Sequence, residues 1–305
     1  MIRVIAYRLL QTVPTLFGVT LIVFIIVRLT GDPATTMLPP ETPPEAVHRF
    51  RVQYGLDKPI VVQYLYFLKG MVTGDLGRSI RYQEPVTALI GDRLPATLQL
   101  AVAAMCIALV VGMVLGILAG IFQGGRIDSI ARLIALGGQA IPTFYLGILL
   151  ILVFGVWLRV LPTIGNVGPS SLILPSVTLA TYLTPMVLRV TRGSILDQLN
   201  QNYVRTARSK GMSERRVVGV HLLKSALIPV VTVVGLQIGA ALGGAVITET
   251  VFAWPGLGQL LVNAISTRDF PVVQGLVLFA AAVFIFVNLA VDLTYRVLDP
   301  RIRLR

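Results

Sequence analysis

The sequence predicts an all-α integral membrane protein with six transmembrane helices and both termini in the cytoplasm. Hydrophobic residues make up 55% of the 305 residues, several apolar segments are long enough to cross a bilayer, and the basic residues concentrate on one side of them. Only 13% of the residues are charged, and the mean hydropathy is +0.81. This composition excludes a disordered chain and disfavours a water-soluble fold.

The apolar segments have the length that a membrane helix needs. Crossing about 30 Å of hydrocarbon takes roughly 20 residues of helix. Backbone amides in lipid must be paired within the segment, and the alternating pattern of a barrel strand is missing, so helices are expected. The predicted spans are residues 9–27, 96–122, 133–158, 171–188, 226–248 and 271–291. Prolines within or beside them, such as Pro142 and Pro185, mark kinks or helix ends.

The first span has the charge pattern of a secretory signal, since Arg3 and Arg8 precede an apolar core. Its core is longer than that of a signal, no small-x-small cleavage site follows, and more spans come after it. We therefore expect a retained membrane anchor.

The distribution of Lys and Arg predicts the orientation. With the N-terminus inside, the short outer loops contain only Arg159 and Arg268 as basic residues, and the other sixteen outside the long loop 28–95 face the cytoplasm. Cytoplasmic loops carry such an excess of positive charge. The net charge of +12 is thereby explained by topology, and no nucleic-acid partner is expected.

The outer loop, residues 28–95, is too long for a simple connector. It begins with a Pro- and Gly-rich stretch and then predicts short amphipathic helices over 45–54 and 59–69. We expect a small cap outside the membrane. A role that only stabilises the outer face and a direct contact with substrate both remain open.

The inner loop, residues 189–225, is basic and has a helical pattern. Residues 194–210 favour a helix, Gly211 is placed to end it in the left-handed conformation, and Ser213 is a candidate N-cap for a second helix through 224. Such a segment can rest on anionic lipid head groups or dock a cytoplasmic protein. Charge alone favours the lipid.

Residues for catalysis by this chain are missing from the sequence. Lys58, Lys69, Lys210 and Lys224 do not follow a glycine, so there is no phosphate-binding loop of the G-x-x-x-x-G-K-[ST] type. The two histidines, His48 and His221, fall on opposite sides of the membrane, and Cys106 is the single cysteine. No metal site, cofactor site or catalytic triad is expected.

Two acidic residues lie close to the membrane. Glu249 is near the outer end of the fifth span and Asp292 is at the inner end of the sixth. Ionisable residues in lipid are costly and suggest function. A proton-driven carrier would place acids at mid-depth, and their absence there argues against a secondary transporter, the alternative class.

Two rows of glycine repeat every four residues on one helical face each. They are Gly112, Gly116 and Gly120 in the second span and Gly235, Gly239 and Gly243 in the fifth. Such rows allow close helix approach. Packing within the chain and packing against another subunit are both compatible with the spacing.

The inner loop also carries a specific resemblance. Residues 203–214, YVRTARSKGMSE, and 221–229, HLLKSALIP, resemble the cytoplasmic EAA loop of the dipeptide/oligopeptide/nickel permease family of ABC importers. Further stretches that look like this family are 14–18 PTLFG, 31–33 GDP, 54–57 YGLD, 74–77 GDLG, 249–258 ETVFAWPGLG, 268–271 RDFP and 298–301 LDPR. The matches follow the order of the family along the whole chain.

The resemblance implies a type I ABC importer permease fold. Residues 1–27 would be an added helix, 28–95 an extracytoplasmic cap, 96–296 the five-helix core with the loop 189–225, and 297–305 a cytoplasmic tail. It also implies a second homologous permease forming a heterodimer, two cytoplasmic ATPases that bind ATP and Mg²⁺, and an extracytoplasmic solute-binding protein. This chain would be a non-enzymatic half of the pathway without a cofactor of its own.

The resemblance reverses the preference for lipid at the inner loop, because it implies a coupling helix that docks on an ATPase. The implied coupling residues are Arg205, Thr206, Ala207, Arg208, Gly211, Met212, Ser213, Glu214, Arg215 and Arg216. Compared with the general importer consensus, Arg205 and Thr206 replace its Glu and first Ala, so no acidic contact is expected here.

The expected function is import of short peptides by alternating access. Glutathione and nickel complexes are alternative substrates within the family. A secondary transporter or a channel subunit is the alternative outside it.

Overall fold

The computed structural model describes residues 14, 16–26, 38, 41–53, 55–213 and 216–298. Within these ranges the regular structure is helical, and pairing of strand type is limited to one isolated bridge between Arg78 and Pro85. The predicted all-α class is confirmed. Arg3, Arg8, Glu214 and Arg215 lie outside the described residues. So do the 31–33 motif, Thr15 of the 14–18 motif, Tyr54 of the 54–57 motif and residues 299–301 of the 298–301 motif.

The first helices are α1, Leu16–Ile26, α2, Pro44–Gln53, α3, Ile60–Thr73, α4, Val86–Ile121, α5, Arg126–Ala140, and α6, Thr143–Leu150. Then follow α7, Ile173–Leu199, α8, Asn202–Ser209, α9, Leu223–Ala226, α10, Ile228–Val251, α11, Leu257–Ser266, and α12, Phe270–Leu298. Two segments, Ile151–Trp157 and Val217–Leu222, have wider π-helical turns, and Pro169–Leu172 is a 3₁₀ turn. Helices α2 and α3 match the two amphipathic helices predicted in the outer loop.

Fewer helices than predicted have the length and composition of a membrane span. Among the described residues there are three, Val86–Ile121, Pro169–Leu199 and Phe270–Ala290, or up to five if two bent pairs each count as one. Helix α1, as far as it is described, has the length of a shorter apolar helix. The total of six membrane spans and the cytoplasmic position of both termini stay predictions.

The predicted third span, 133–158, is not one continuous helix, and the break falls at Pro142, one of the prolines predicted to mark a kink or helix end. It is broken between α5 and the helix that starts at Thr143, with a bend of 100°. Ile141 is extended, with φ −84° and ψ 119°, and Pro142 follows it. Proline has no amide donor and disfavours the helical conformation in the residue before it, so the chain turns at this point.

Two other span boundaries also shift. Helix α4 begins at Val86 and passes through Pro95, because Val86, Leu89 and Ile90 are buried in a core that requires them to be ordered. Helix α7 passes through Pro185 and continues to Leu199. The first part of the predicted inner loop is therefore a rigid extension of a span.

The structure divides into two compact units. One contains the described part of residues 1–95 together with 256–286, and the other contains 96–255 and residues from 287 onward. The first unit has a core around Val86, Leu260, Val272 and Leu276. The second has its main core around Leu100, Leu179, Leu183 and Trp254, all of which are fully buried.

Candidate functional site

The best-supported candidate site is a turn segment, residues 202–222, which contains α8 and the π-helical turns that follow it. Val204 and Ala207 lie on one face of α8 and pack against Val217, with Met212 beside them. The opposite face of α8 is exposed. This amphipathic pattern gives the segment its own small apolar core.

A glycine fixes the geometry of the turn. Gly211 has φ +76°, and its amide donates to the Arg208 carbonyl at 2.9 Å. The amide of Met212 donates to the Ala207 carbonyl at 3.3 Å. These two bonds, with Met212 packed near Ala207, form a Schellman motif, which favours glycine at the left-handed position. The predicted left-handed end of the helix at Gly211 is confirmed.

The exposed side of the turn segment is basic. Arg205, Arg208 and Arg216 are exposed, and so are Thr206 and Ser213. Ala207, which the resemblance places in the contact region, is nearly buried and contributes to the internal core. The carbonyl of Ser213 accepts the amides of Arg216 and Val217. Residues 214 and 215, where the predicted second helix begins, lie outside the described residues.

A second apolar cluster joins the turn segment to the long helices. Leu222 and Ala226 pack with Ile195 of α7, and Leu199 lies against the same cluster. Ile117 and Ile121 at the end of α4 complete it. The C-terminal end of the segment, at Leu222, therefore packs on the ends of two long helices.

The glycine row on α4 packs within the chain. A Cβ at Gly112, Gly116 or Gly120 would lie 2.8, 2.7 or 2.5 Å from atoms of Val187, Thr191 or Ile195 on α7. In the other row, Gly243 is exposed and has no atom within 4 Å of such a Cβ. Packing within the chain thus accounts for the first row, and it does not account for Gly243.

Of the two acidic residues near the membrane, Glu249 is fully buried. It accepts a hydrogen bond from the Thr97 hydroxyl at 2.7 Å, and its carbonyl accepts the Trp254 amide at 2.8 Å. The Trp254 indole donates to the Ala96 carbonyl. Glu249 thus lies in a tightly packed region around the ETVFAWPG motif. Asp292 is on α12, and its side chain is outside the described part of the structure.

A similar buried carboxylate organises the first unit. Asp269 accepts hydrogen bonds from the Ser79 hydroxyl and from the amides of Ile80 and Arg81. It is fully buried, and this network joins the loop after the GDLG motif to the RDFP motif. The sequence analysis singled out both motifs without predicting this contact.

The first unit also contains a cavity of about 460 Å³. Lys58 and Tyr66 are among its lining residues, and the Lys58 ammonium donates to the Tyr66 hydroxyl at 3.1 Å. This hydrogen bond raises the pKa of Lys58 and lowers the pKa of Tyr66.

Among the described residues no group of three or more His, Cys, Asp or Glu could hold a metal ion.

Sequence reasoning missed one polar contact beside the candidate site. Arg192 of α7 forms an ion pair with Asp128 of α5. In the sequence, Arg192 is one of many basic residues of the inner loop, and Asp128 has no predicted role. The one available signal is an acid between Arg126 and Arg132 in the short inner segment before the third predicted span.

Comparison with known proteins gives consistent matches over the chain. Residues 112–304 match the family model described as "Binding-protein-dependent transport system inner membrane component", and residues 1–101 match its N-terminal counterpart, "Binding-prot-dependent transport system membrane comp, N-term". The glutathione transport system permease protein GsiC of Escherichia coli (strain K12) is 42% identical over 304 residues, covering 99% of both chains. GsiC of Shigella flexneri serotype 5b (strain 8401) has the same identity and coverage.

Solved structures support the fold. A chain of the inward-facing MetNI methionine ABC transporter aligns with a TM-score of 0.58 at 20% identity, covering 69% of this chain and 96% of that one. A chain of an amino acid ABC transporter crystallised with histidines gives 0.56 at 17% identity, covering 69% and 94%. At these identities the likeness concerns the fold alone.

Proposed function

The chain belongs to the binding-protein-dependent transport system inner membrane component family, and from this premise we propose that it forms half of the pathway of an ATP-driven importer of short peptides. The match over 99% of the chain to permeases of one transport system is the observation that carries the proposal. ATP hydrolysis belongs to separate subunits. The site of action is the bacterial or archaeal cytoplasmic membrane.

The turn segment is the docking element for an ATPase in this proposal. Its exposed face presents Arg205, Arg208 and Arg216. Its buried face packs against Val217 within the segment, and Leu222 at its end packs on the ends of α4 and α7. A nucleotide-driven subunit can shift the permease between states only through contacts that differ between them. A rigid turn that packs on two long helices can pass such a difference on to the membrane.

The assembly around this chain follows from the same proposal. A second homologous permease forms the other half of the pathway, two cytoplasmic ATPases bind ATP and Mg²⁺, and an extracytoplasmic protein delivers the solute. Alternating access then exposes the pathway to the outside and to the cytoplasm in turn.

The substrate class is short peptides, and glutathione is the solute to test first. Glutathione is itself a tripeptide, and the relatives that match over the whole chain are permeases of glutathione transport systems. Nickel complexes are the weaker alternative, because the described residues place no metal-ligand cluster in the chain.

Uptake in cells that express the chain with its companion subunits tests this function. Labelled glutathione and a labelled dipeptide are offered outside, and we expect accumulation against a gradient that stops on ATP depletion. Uptake that survives ATP depletion and collapses with an uncoupler would show a secondary carrier. Uptake that never exceeds the outside concentration would show a channel.

A further inference from the structure

We propose that Asp128 and Arg192 are positioning residues for energy coupling, because their ion pair joins α5 to α7 beside the turn segment. The pair makes the ends of α4, α5 and α7 move together when an ATPase moves the turn segment. This inference rests on the proposed function, and it adds two residues that the family resemblance did not assign.

The geometry of the pair is bidentate. Arg192 Nε donates to Asp128 Oδ1 at 2.7 Å, and Nη2 donates to Oδ2 at 3.0 Å. The Asp128 side chain is 1% exposed and the Arg192 side chain 22%. A bidentate pair fixes orientation as well as distance, so it resists sliding of one helix along the other.

The same carboxylate also fixes the connection between α4 and α5. The amide of Gly124 donates to Asp128 Oδ2 at 3.0 Å. Gly124 has φ +75° and lies in the turn between α4 and α5. One buried side chain therefore holds the end of α4, the start of α5 and the inner part of α7.

Arg192 lies within the stretch of α7 that packs closely on α4. Thr191 faces Gly116 and Ile195 faces Gly120, both at distances that leave no room for a Cβ. Ile195 also belongs to the cluster with Leu222 and Ala226. Arg192 is thus between a contact with α4 and a contact with the turn segment on the same helix.

Apolar contacts also join α5 to α7, since Ala131 and Ala135 pack with Leu188. A second polar contact joins the same two helices, since Arg189 Nη1 of α7 donates to Gln139 Oε1 of α5 at 2.6 Å. Removing one member of a buried ion pair leaves an unpaired charge, whereas removing both does not. Comparing the single variant with the double variant therefore separates a purely structural role of the ion pair from a role in energy coupling.

The experiment compares three variants in the complete complex reconstituted in vesicles. Asp128→Asn removes one charge, and the double variant Asp128→Asn with Arg192→Gln removes both. Arg132→Gln is the matched control, because Arg132 also faces Asp128 at 3.7 Å but is 57% exposed. The measurements are the thermal midpoint of the complex and the solute imported per ATP hydrolysed.

We expect both Asp128 variants to import at least about fivefold less solute per ATP, the lower bound of an ordinary coupling effect. The thermal midpoint should fall in Asp128→Asn and recover in the double variant, while Arg132→Gln leaves both readouts unchanged. If Asp128→Asn does not assemble, the double variant alone decides, since it buries no unpaired charge.

Recovery of import per ATP together with the thermal midpoint in the double variant would overturn the inference, because the pair would then be structural only. An equal loss in Arg132→Gln would also overturn it. Failure of the proposed function gives a different result, since the unmodified complex would then show no ATP-driven import.

Discussion

Two rows of glycine share the same four-residue spacing in this chain, but the structure gives them different surroundings. Gly116 on α4 lies against α7, where a Cβ would be 2.7 Å from Thr191 and 2.8 Å from the Leu188 carbonyl. Gly243 on α10 is exposed, with open space around it. The spacing therefore identifies a face where backbones can approach, and only the fold shows whether this chain already fills it.

The largest effect is expected at the filled row. Gly116→Ala places a methyl group against α7 backbone, which the helix cannot move aside cheaply. Overpacking of this kind costs about 1–3 kcal/mol, more than the gain in helix propensity from Ala. The thermal midpoint of the purified chain in detergent should fall clearly.

The matched control is Gly137→Ala on α5, where a Cβ would meet no atom within 4 Å. This variant should be neutral or slightly more stable than the unmodified chain. Equal midpoints for the two alanine variants would show that the contact between α4 and α7 is looser than described.

A smaller effect on stability and a clear one on coupling are expected at Gly211. A β-branched residue is strained at φ +76° even though the surrounding space is open. The left-handed conformation costs such a residue about 1–2 kcal/mol. Gly211→Val should therefore still insert into the membrane, but the amount of solute imported per ATP hydrolysed should fall.

Gly91→Val serves as the control for this strain, because Gly91 on α4 is outside the turn segment, is exposed, has open space and does not have a positive φ. Uptake per ATP should stay normal in this variant. Normal solute-stimulated ATPase activity and uptake in Gly211→Val would remove the turn from the coupling mechanism.

A weaker effect is expected from charge at the exposed face. Arg216→Glu reverses one exposed charge of the turn segment and should weaken ATPase docking by about 1 kcal/mol, the scale of exposed ion pairs. The loss should shrink as salt is raised. Co-purification of the ATPases across a salt series measures it, and Arg126→Glu, exposed at the start of α5, is the control.

Unchanged co-purification of Arg216→Glu at every salt concentration would show that this arginine does not contribute to docking. The same loss in Arg126→Glu would mean that total charge matters and the turn segment has no special role.

The smallest effect on the chain itself is expected at Gly243 of the second row. Gly243→Ala should leave the thermal midpoint of the isolated chain unchanged or slightly raised, because the methyl group meets no atom. If this face contacts the second permease, the variant should lower the yield of the assembled pair. A lower midpoint of the isolated chain would show that Gly243 is packed within the chain after all.

Local signals in the sequence predicted much of the fold. Gly211 was predicted to end a helix, and the helices of the outer loop were predicted from their amphipathic pattern; both are present. These features depend on a few neighbouring residues. The sequence alone did not distinguish the break at Pro142 from the other prolines. Pro185 and Pro95 lie inside continuous helices, so a proline does not by itself end a helix in this chain.

Long-range contacts could not be predicted in the same way. Asp128 and Arg192 are 64 residues apart, and Asp269 is 190 residues from Ser79. No periodicity joins such positions, so only the tertiary fold brings them together. Ala207 was assigned to the contact region by resemblance, whereas the structure places it in the internal core of the turn segment.

In the proposed function, this chain forms half of the translocation pathway and hydrolyses no ATP itself. The ATPases change its conformation through the turn segment. Reconstitution in vesicles tests this claim most directly, with the purified chain alone compared with the complete complex. We expect labelled glutathione or dipeptide to accumulate with ATP only in vesicles that contain every subunit. Accumulation by the chain alone, without companion subunits, would contradict the claim.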